Sequence, residues 1–495
     1  MRHKTEPFDN KVAVTAFAML SVEAVAGIYA LFHFYKNGAI PERALAMMAS
    51  FFGLLWTFHY SALRVVLPRK ILAASCFASI AITGIFVYSI ATFSTVAASW
   101  DDVLAVSKES TEPVYLYSKN ADWDILNNKH VVTYGFTDFG QTDFEAGLAA
   151  LKEEYPTVWF EPRPFNDPFA LIDGFHAGIC ETMLLNAGMA SVFSEEVSGF
   201  ADGCRVLWSK EIESPNMDFF AVLPPNEDDI SQKPFNIFIS GVDASGVLSD
   251  VNMIATINPQ ERKVLLTGIP RDTLVPLWGD EDKVDKLTHA GLYGVNCSIE
   301  TLEDFFGIKI DYYAQFGFNS VVEIVDALGG VDVVSEYAFS SVHSLNKYTN
   351  YRFEKGSNHL DGRAALAFVR ERKSLPSGDF SRVKNQQAFM LGVIKRLVSP
   401  YGLANFSGIF KVAANTTETN VSFAQAMQLS KLTLSSSTLW SIEGISITGT
   451  VGSHRTYSFP NRKLSCVIAN QASIKSAKDA IQELLAERAY NIPNR

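Results

Sequence analysis

Three long apolar stretches open this chain and constrain everything after them. They run from about Val12 to Tyr35, with Glu23 as the one acidic or basic residue, from about Ala44 to Leu67, with Arg64 near its end, and from Ile71 to Trp100, with none. Each exceeds the roughly 20 residues that span a bilayer, and each is too long for the apolar core of a secretory signal. The pattern predicts three transmembrane helices at about 12–35, 44–67 and 71–98, a membrane anchor over residues 1–100. Arg2, Lys4 and Lys11 precede the first stretch, and Arg64, Arg69 and Lys70 separate the second from the third. Fewer basic residues, Lys36 and Arg43, lie between the first two, and Asp101 and Asp102 follow the last. Lys and Arg concentrate on cytoplasmic loops, so the N-terminus is expected in the cytoplasm and everything after Trp100 outside. Glu23 within a span is a candidate for function, or for a contact with the neighbouring helices. The second reading is the expectation.

Charge separates the anchor from the rest. Of 42 basic and 53 acidic residues, 8 and 4 lie in the first 100, leaving 34 and 49 beyond and a net of −15 there. An acidic ectodomain argues against nucleic acid, whose phosphates want a basic face. An anionic ligand would need a local arginine cluster or a metal ion. Four cysteines, Cys180, Cys204, Cys297 and Cys466, lie outside the anchor with no CxxC spacing. Their even number permits disulfides, for which Cys180–Cys204 and Cys297–Cys466 are one guess.

Residues 101–230 read as one small accessory domain. Val131–Phe136 and Thr157–Phe160 read as strands, Ala146–Glu154 and Ala177–Phe193 as helices, and no motif there has a chemical meaning. A Pro- and acid-rich run, Leu223–Ile230, reads as a linker. Beyond it, short apolar runs at 235–240, 251–257 and 263–269 are followed by alternating helices and strands. Helices are expected near Ser298–Phe306, Ser320–Leu328, Gly362–Phe368 and Phe380–Val398. The alternation predicts an α/β layered domain over 235–485.

Two groups of residues could carry chemistry. If the first three strands run up, down and up, Asp243, Asp250 and Arg271 gather on one rim. Two carboxylates and an arginine could hold a divalent cation against a phosphate, and the aspartates equally suit turn caps. The second group is Arg370 and Arg372, two apart and so on one side of an extended segment, followed by Asp379 at an N-cap and Arg382 and Gln386 on one helix face. Guanidinium forks match phosphate oxygens, so these could grip a pyrophosphate; a solvated charged loop is the plain alternative.

The motifs taken together resemble the catalytic domain of the LytR-CpsA-Psr (LCP) family of cell-wall glycopolymer ligases. They are Gly241-Val-Asp243, Ser249-Asp250, Ile269-Pro-Arg-Asp-Thr273 and Asp285-Lys-Leu-Thr-His-Ala-Gly291, then Leu328-Gly-Gly-Val-Asp332, Val369-Arg-Glu-Arg372 and Asp379-Phe-Ser-Arg382 with Gln386-Gln387. With three spans and an intermediate domain, the chain is most similar to the capsule-associated CpsA type. The resemblance implies an α-β-α catalytic domain and an enzyme, a phosphotransferase dependent on Mg²⁺ or Mn²⁺. Such an enzyme moves a phosphoglycan, capsular polysaccharide or a teichoic-acid-type polymer, from a polyprenyl-pyrophosphate carrier to a peptidoglycan hydroxyl. It implies catalytic roles for Asp243, Asp250 and Arg271, metal contacts for Asp243 and Asp250, and pyrophosphate contacts for Arg271, Lys286, Arg370, Arg372, Arg382 and Gln386. Asp243, ahead of Asp272, is the candidate base. The implied partners are the lipid-linked glycan, peptidoglycan, membrane lipid and capsule-assembly proteins, in the envelope of a Gram-positive bacterium. Leu248 and Asn385 stand where the family often has Arg. Two other readings stay open: a pyrophosphate hydrolase, and a non-catalytic regulator or scaffold of capsule synthesis.

Overall fold

A computed structural model describes residues 10–36, 42–64, 69–106, 111–119, 131–137, 144–197, 200–213, 229–243, 245–341, 350–435 and 438–486. Three helices, Asn10–Lys36, Glu42–Arg64 and Arg69–Val106, open the chain. Among the described residues one segment, Phe17–Tyr35, is long and apolar enough to cross a membrane, and the next two helices carry shorter apolar stretches, Leu45–Phe58 and Phe77–Ala91. Glu23 is fully buried and accepts from the Ser79 hydroxyl of the third helix, so it faces its neighbours as expected.

The next unit is a five-stranded mixed sheet in the order Trp159–Pro164, Val131–Phe136, Thr182–Asn186, Thr111–Ser118, Arg205–Glu213. Side chains alternate along a strand, so Val114 and Leu116 pack with Leu151 of the helix Phe144–Glu154. Tyr115 and Tyr117 face the other way, toward Phe169 and Phe193 of the helices Pro168–Ala177 and Ala187–Glu196. The single helix expected over Ala177–Phe193 is therefore wrong. Gly178, at φ 78°, ends one helix; a strand follows; Asn186 caps the next helix through the Met189 amide. All five residues of Thr182–Asn186 are buried, and a strand buried on both faces lacks the alternation that distinguishes it from a helix.

The third unit is built on a six-stranded sheet in the order Thr417–Thr419, Tyr312–Phe316, Phe235–Val242, Ser249–Asn258, Lys263–Ile269, Ser441–Ser446. Its three central strands are antiparallel neighbours, as expected. Phe238 and Ile254 pack on one face with residues of Val295–Phe306 and Gln471–Leu485, while Ile239, Met253 and Leu266 face Asp379–Leu397 on the other. The result is an α/β three-layer arrangement. The two units also share a hydrophobic cluster, in which Phe169 and Phe193 meet Leu248, Leu292 and Phe459. Of the expected linker, Leu223–Glu227 and Asp228 lie outside the described residues, and Ile230 is buried.

Two local expectations need correction. Arg370 and Arg372 do not share an extended segment: Arg370 ends the helix Gly362–Arg370, and Glu371 is its buried C-cap. Asp379 is not the N-cap of the long helix either; Gly378, at φ 53°, takes that place and Asp379 is the first helical residue. The guessed disulfides are absent. Cys180, Cys204, Cys297 and Cys466 are free thiols, and Cys297 sits in a different hydrophobic cluster from Cys466.

Candidate active site

Strand register builds the first part of the site. Gly241 pairs with Val251 and Val242 with Ser249, which leaves Asp243 and Asp250 at one sheet edge. Ile269 pairs with Asn252, so the third strand carries Arg271 past the same edge. There Nη1 of Arg271 donates to Asp250 and also to Glu195 at 2.7 Å. Burial alone would push the Arg271 guanidinium down, but Asp250, Glu195 and Asp272 outweigh it and hold its pKa well above the ordinary value.

Beside it, Lys286 Nζ donates to Glu196 at 2.7 Å and lies 3.3 Å from Asp272. Burial of Lys286 is likewise outweighed by Asp272 and Glu196, which raise its pKa, and burial of Asp272 by Lys286, Arg271 and Arg382, which lower it. The backbone of Lys286 is fixed by its buried neighbour Asp285. That carboxylate accepts from the Lys286 amide at 2.7 Å and the Ser458 amide at 2.7 Å, and it also meets His289 Nδ1 at 2.6 Å. Gly291 closes the same motif because a side chain there would strike the Val247 carbonyl, 2.1 Å from where its Cβ would stand.

The second part comes from three helices. Arg382 pairs with Asp379 one turn earlier, and Gln386 reaches the Val369 carbonyl at 3.4 Å. Arg370 lies over the Phe318 ring, 4.0 Å from its centre. Burial lowers the Arg370 pKa, partly opposed by Asp250 and Asp243.

These parts line one cavity of about 790 Å³. Its charged lining includes Asp250, Arg271, Lys286, Arg370, Arg372, Arg382 and the amide of Gln386, so seven of the eight anticipated site residues meet there. Its apolar lining comes from Phe316, Phe318, Val321, Leu366 and Phe389. Asp243 is the exception. It is not in the lining, and it caps its own turn, accepting from the Ser245 and Leu248 amides at 3.2 and 3.3 Å and from the Ser191 hydroxyl. Among the described residues the buried Nε atoms of Arg271 and Arg382 have no acceptor, a costly state for a buried donor.

The positions that depart from the family pattern have structural work. Leu248 is buried in the cluster shared by the two units, and Asn385 donates to the Phe368 carbonyl at 3.4 Å. Glu195 and Glu196 escaped the sequence reading, because they sit in a segment without a motif. Two adjacent glutamates at the end of a helix were the one available signal.

A model of the LytR_cpsA_psr family matches residues 213–483, just over half of the chain. The chain belongs to the LytR_cpsA_psr family. Two relatives carry the name polyisoprenyl-teichoic acid–peptidoglycan teichoic acid transferase TagU. The one from Bacillus licheniformis is 34% identical over 194 residues, 38% of this chain and 61% of the relative. The one from Bacillus anthracis is 35% identical over 203 residues, 40% of this chain and 64% of the relative. The chain thus spans less than two thirds of the length of these relatives. Among solved structures, Bacillus subtilis TagV is similar at 28% identity and a TM-score of 0.45, covering 51% of this chain and 98% of that one. Bacillus subtilis TagU is similar at 27% identity and a TM-score of 0.40, covering 52% and 99%.

Proposed function

We propose that this protein is a membrane-anchored phosphotransferase that moves a phosphoglycan from a polyprenyl-pyrophosphate carrier to a sugar hydroxyl of peptidoglycan. The observation that carries the reading is one cavity in which Arg271, Lys286, Arg370, Arg372 and Arg382, with their carboxylate partners, adjoin an apolar lining. A polyprenyl pyrophosphate is the matching molecule, a dianionic head on a hydrocarbon tail. Arginine forks suit the head, and the walls from Phe318–Ala327 and Asp379–Leu397 suit the tail. The teichoic-acid transfer named for the relatives supports this substrate class, with a capsular polymer as the alternative cargo of the same chemistry.

The acceptor oxygen would bond to the glycan-side phosphorus while the bond from that phosphorus to the bridging oxygen breaks. The hydroxyl proton passes to a cavity carboxylate, and polyprenyl phosphate leaves. Arg271, Lys286 and Arg382 would take up the charge that develops on the departing phosphate, so catalysis rests on positioning and charge stabilisation. Asp272 is held low by its cations and is a weak base, while Asp243 is already engaged by its turn and Ser191.

Among the described residues no cluster of three or more His, Cys, Asp or Glu is arranged to hold a metal. Asp250 nevertheless lines the cavity, with Asp243 at the same end of the sheet. A hard carboxylate facing the cavity fits Mg²⁺ as part of a site finished by phosphate oxygens and water, which is how Mg²⁺ usually binds beside phosphates. Asp250, with Asp243 behind it, would hold the ion, which would supply charge neutralisation to the pyrophosphate. Full-length protein stripped with EDTA should lose transfer and regain it on adding Mg²⁺, and Asp250→Ala should not regain it. Undiminished transfer in EDTA would remove the metal from the account.

An anchor of three spans with a cytoplasmic N-terminus and an external catalytic unit would hold the enzyme where both substrates are confined. The exposed apolar residues Phe17, Ile28, Phe51, Leu54 and Ile85 on its helices support contact with lipid.

A further inference from the structure

The accessory unit reaches the site through one face of one helix. Along Ala187–Glu196, residues Gly188, Ser191 and Glu195 recur at three- and four-residue spacing and so share a face. At Gly188 an added Cβ would stand 2.8 Å from Leu292 and from Val247, so this helix lies hard against the turn that follows Asp243. Ser191 donates its hydroxyl to Asp243, and Glu195 accepts from Arg271 Nη1 at 2.7 Å. Glu196 accepts from Lys286 Nζ at 2.7 Å, and both glutamates line the cavity. Each cation is therefore flanked by one carboxylate of its own unit and one from the accessory helix. Arg271 has Asp250 and Glu195; Lys286 has Asp272 and Glu196.

Local helix preference does not explain this. The end of a helix favours cations, yet the last turn of Ala187–Glu196 holds two glutamates and no basic residue. A local rule broken in this way points to a demand from elsewhere in the fold. Here the demand comes from two buried cations whose remaining partners lie across the boundary between units.

We infer that the helix Ala187–Glu196 is a wall of the diphosphate site, with Glu195 and Glu196 as positioning residues that hold Arg271 and Lys286 and set the affinity of the site for its anion. The identity of that anion rests on the transferase reading. A carboxylate and a phosphate oxygen compete for the same guanidinium and ammonium protons. The glutamates therefore keep both cations oriented while weakening ground-state binding, and removing their charge should tighten binding and slow the reaction together.

The test uses the full chain in detergent, with farnesyl pyrophosphate as the binding probe and a short-chain polyprenyl-pyrophosphate saccharide plus a peptidoglycan oligomer as substrates. Glu195→Gln with Glu196→Gln should lower the probe Kd and the donor KM about tenfold and lower kcat about tenfold. Glu195→Asp, which keeps the charge, should return Kd toward the parent value. Glu153→Gln, which removes an equal charge from an exposed position of the same unit, should change nothing. A double variant that matches the parent in Kd and kcat, while the parent transfers normally, overturns the inference and leaves the transferase reading standing. So does a double variant that loses kcat and melting temperature at unchanged Kd, since that is a packing defect. A parent that binds the probe and transfers nothing, with the Kd shift intact, sinks the transferase reading and leaves the inference standing.

Discussion

Arg370 is stacked on Phe318, its guanidinium carbon 4.0 Å from the ring centre, where the cationic and apolar linings of the cavity meet. Phe318 thus faces two tasks, holding the arginine and walling the tail region. A cation–π contact of this kind contributes about 0.5–2 kcal/mol. Phe318→Ala should raise the donor KM roughly fivefold, and more for long prenyl chains than for short ones. Equal effects across chain lengths, measured by steady-state kinetics on a donor series, would place the tail elsewhere.

Arg271 serves two carboxylates from one nitrogen, and among the described residues its Nε has no acceptor. A lysine is a single point charge and cannot replace a planar fork at such a position. Arg271→Lys should therefore lower kcat by about 100-fold with little change in melting temperature. Near-parent turnover would show that charge alone suffices there.

Much of this site was legible in the sequence, for reasons that are physical. Asp250 and Arg271 follow from three consecutive antiparallel strands, because register fixes which residues share an edge. Arg382 and Gln386 follow from helix periodicity. What stayed hidden depended on distant packing. The strand Thr182–Asn186 looked helical because both its faces are covered. Glu195 and Glu196 gained meaning only once Phe169 and Phe193 were seen to dock on Leu248 and Phe459, which brings their helix to the cavity. Asp243 was placed on the right rim, but its side chain turns back to cap its own loop.

Acid should unfold the site region in a defined window. Burial would raise Asp272 and Asp285, but Lys286 with Arg271 and Arg382, and His289 with Ser458, outweigh it, so both carboxyls are held low. Carboxyls with depressed values contribute stability that is present above the unfolded value of about 3.9 and is lost as pH falls through the lower folded values. The melting temperature should hold steady from about pH 7 to 5 and drop steeply below about pH 4. Asp285→Asn, which leaves the buried His289 and two amides with a neutral partner, should cost about 3 kcal/mol and flatten that acid dependence. Scanning fluorimetry across pH on both proteins checks this; a variant that melts with the parent at neutral pH would contradict it.

The buried thiols should be inert in the folded protein. Burial raises Cys180 and Cys466 to about 11, and Cys297 is raised further in the same direction for the same reason. At pH 7.5 Cys180, Cys297 and Cys466 should resist maleimide until urea is added, and dithiothreitol should leave the melting temperature unchanged. A fall of several degrees with reductant would restore the disulfides.

Transfer to a sugar hydroxyl from a lipid-linked pyrophosphate bound in the 790 Å³ cavity can be measured directly. The direct measurement incubates the full-length protein with a short-chain polyprenyl-pyrophosphate saccharide, a peptidoglycan oligomer and Mg²⁺, and reads the products by mass spectrometry. A phosphodiester-linked saccharide–peptidoglycan adduct should form, and it should be absent with Arg271→Ala. Phosphorylated saccharide without adduct, at every acceptor concentration, would contradict that transfer and make water the acceptor.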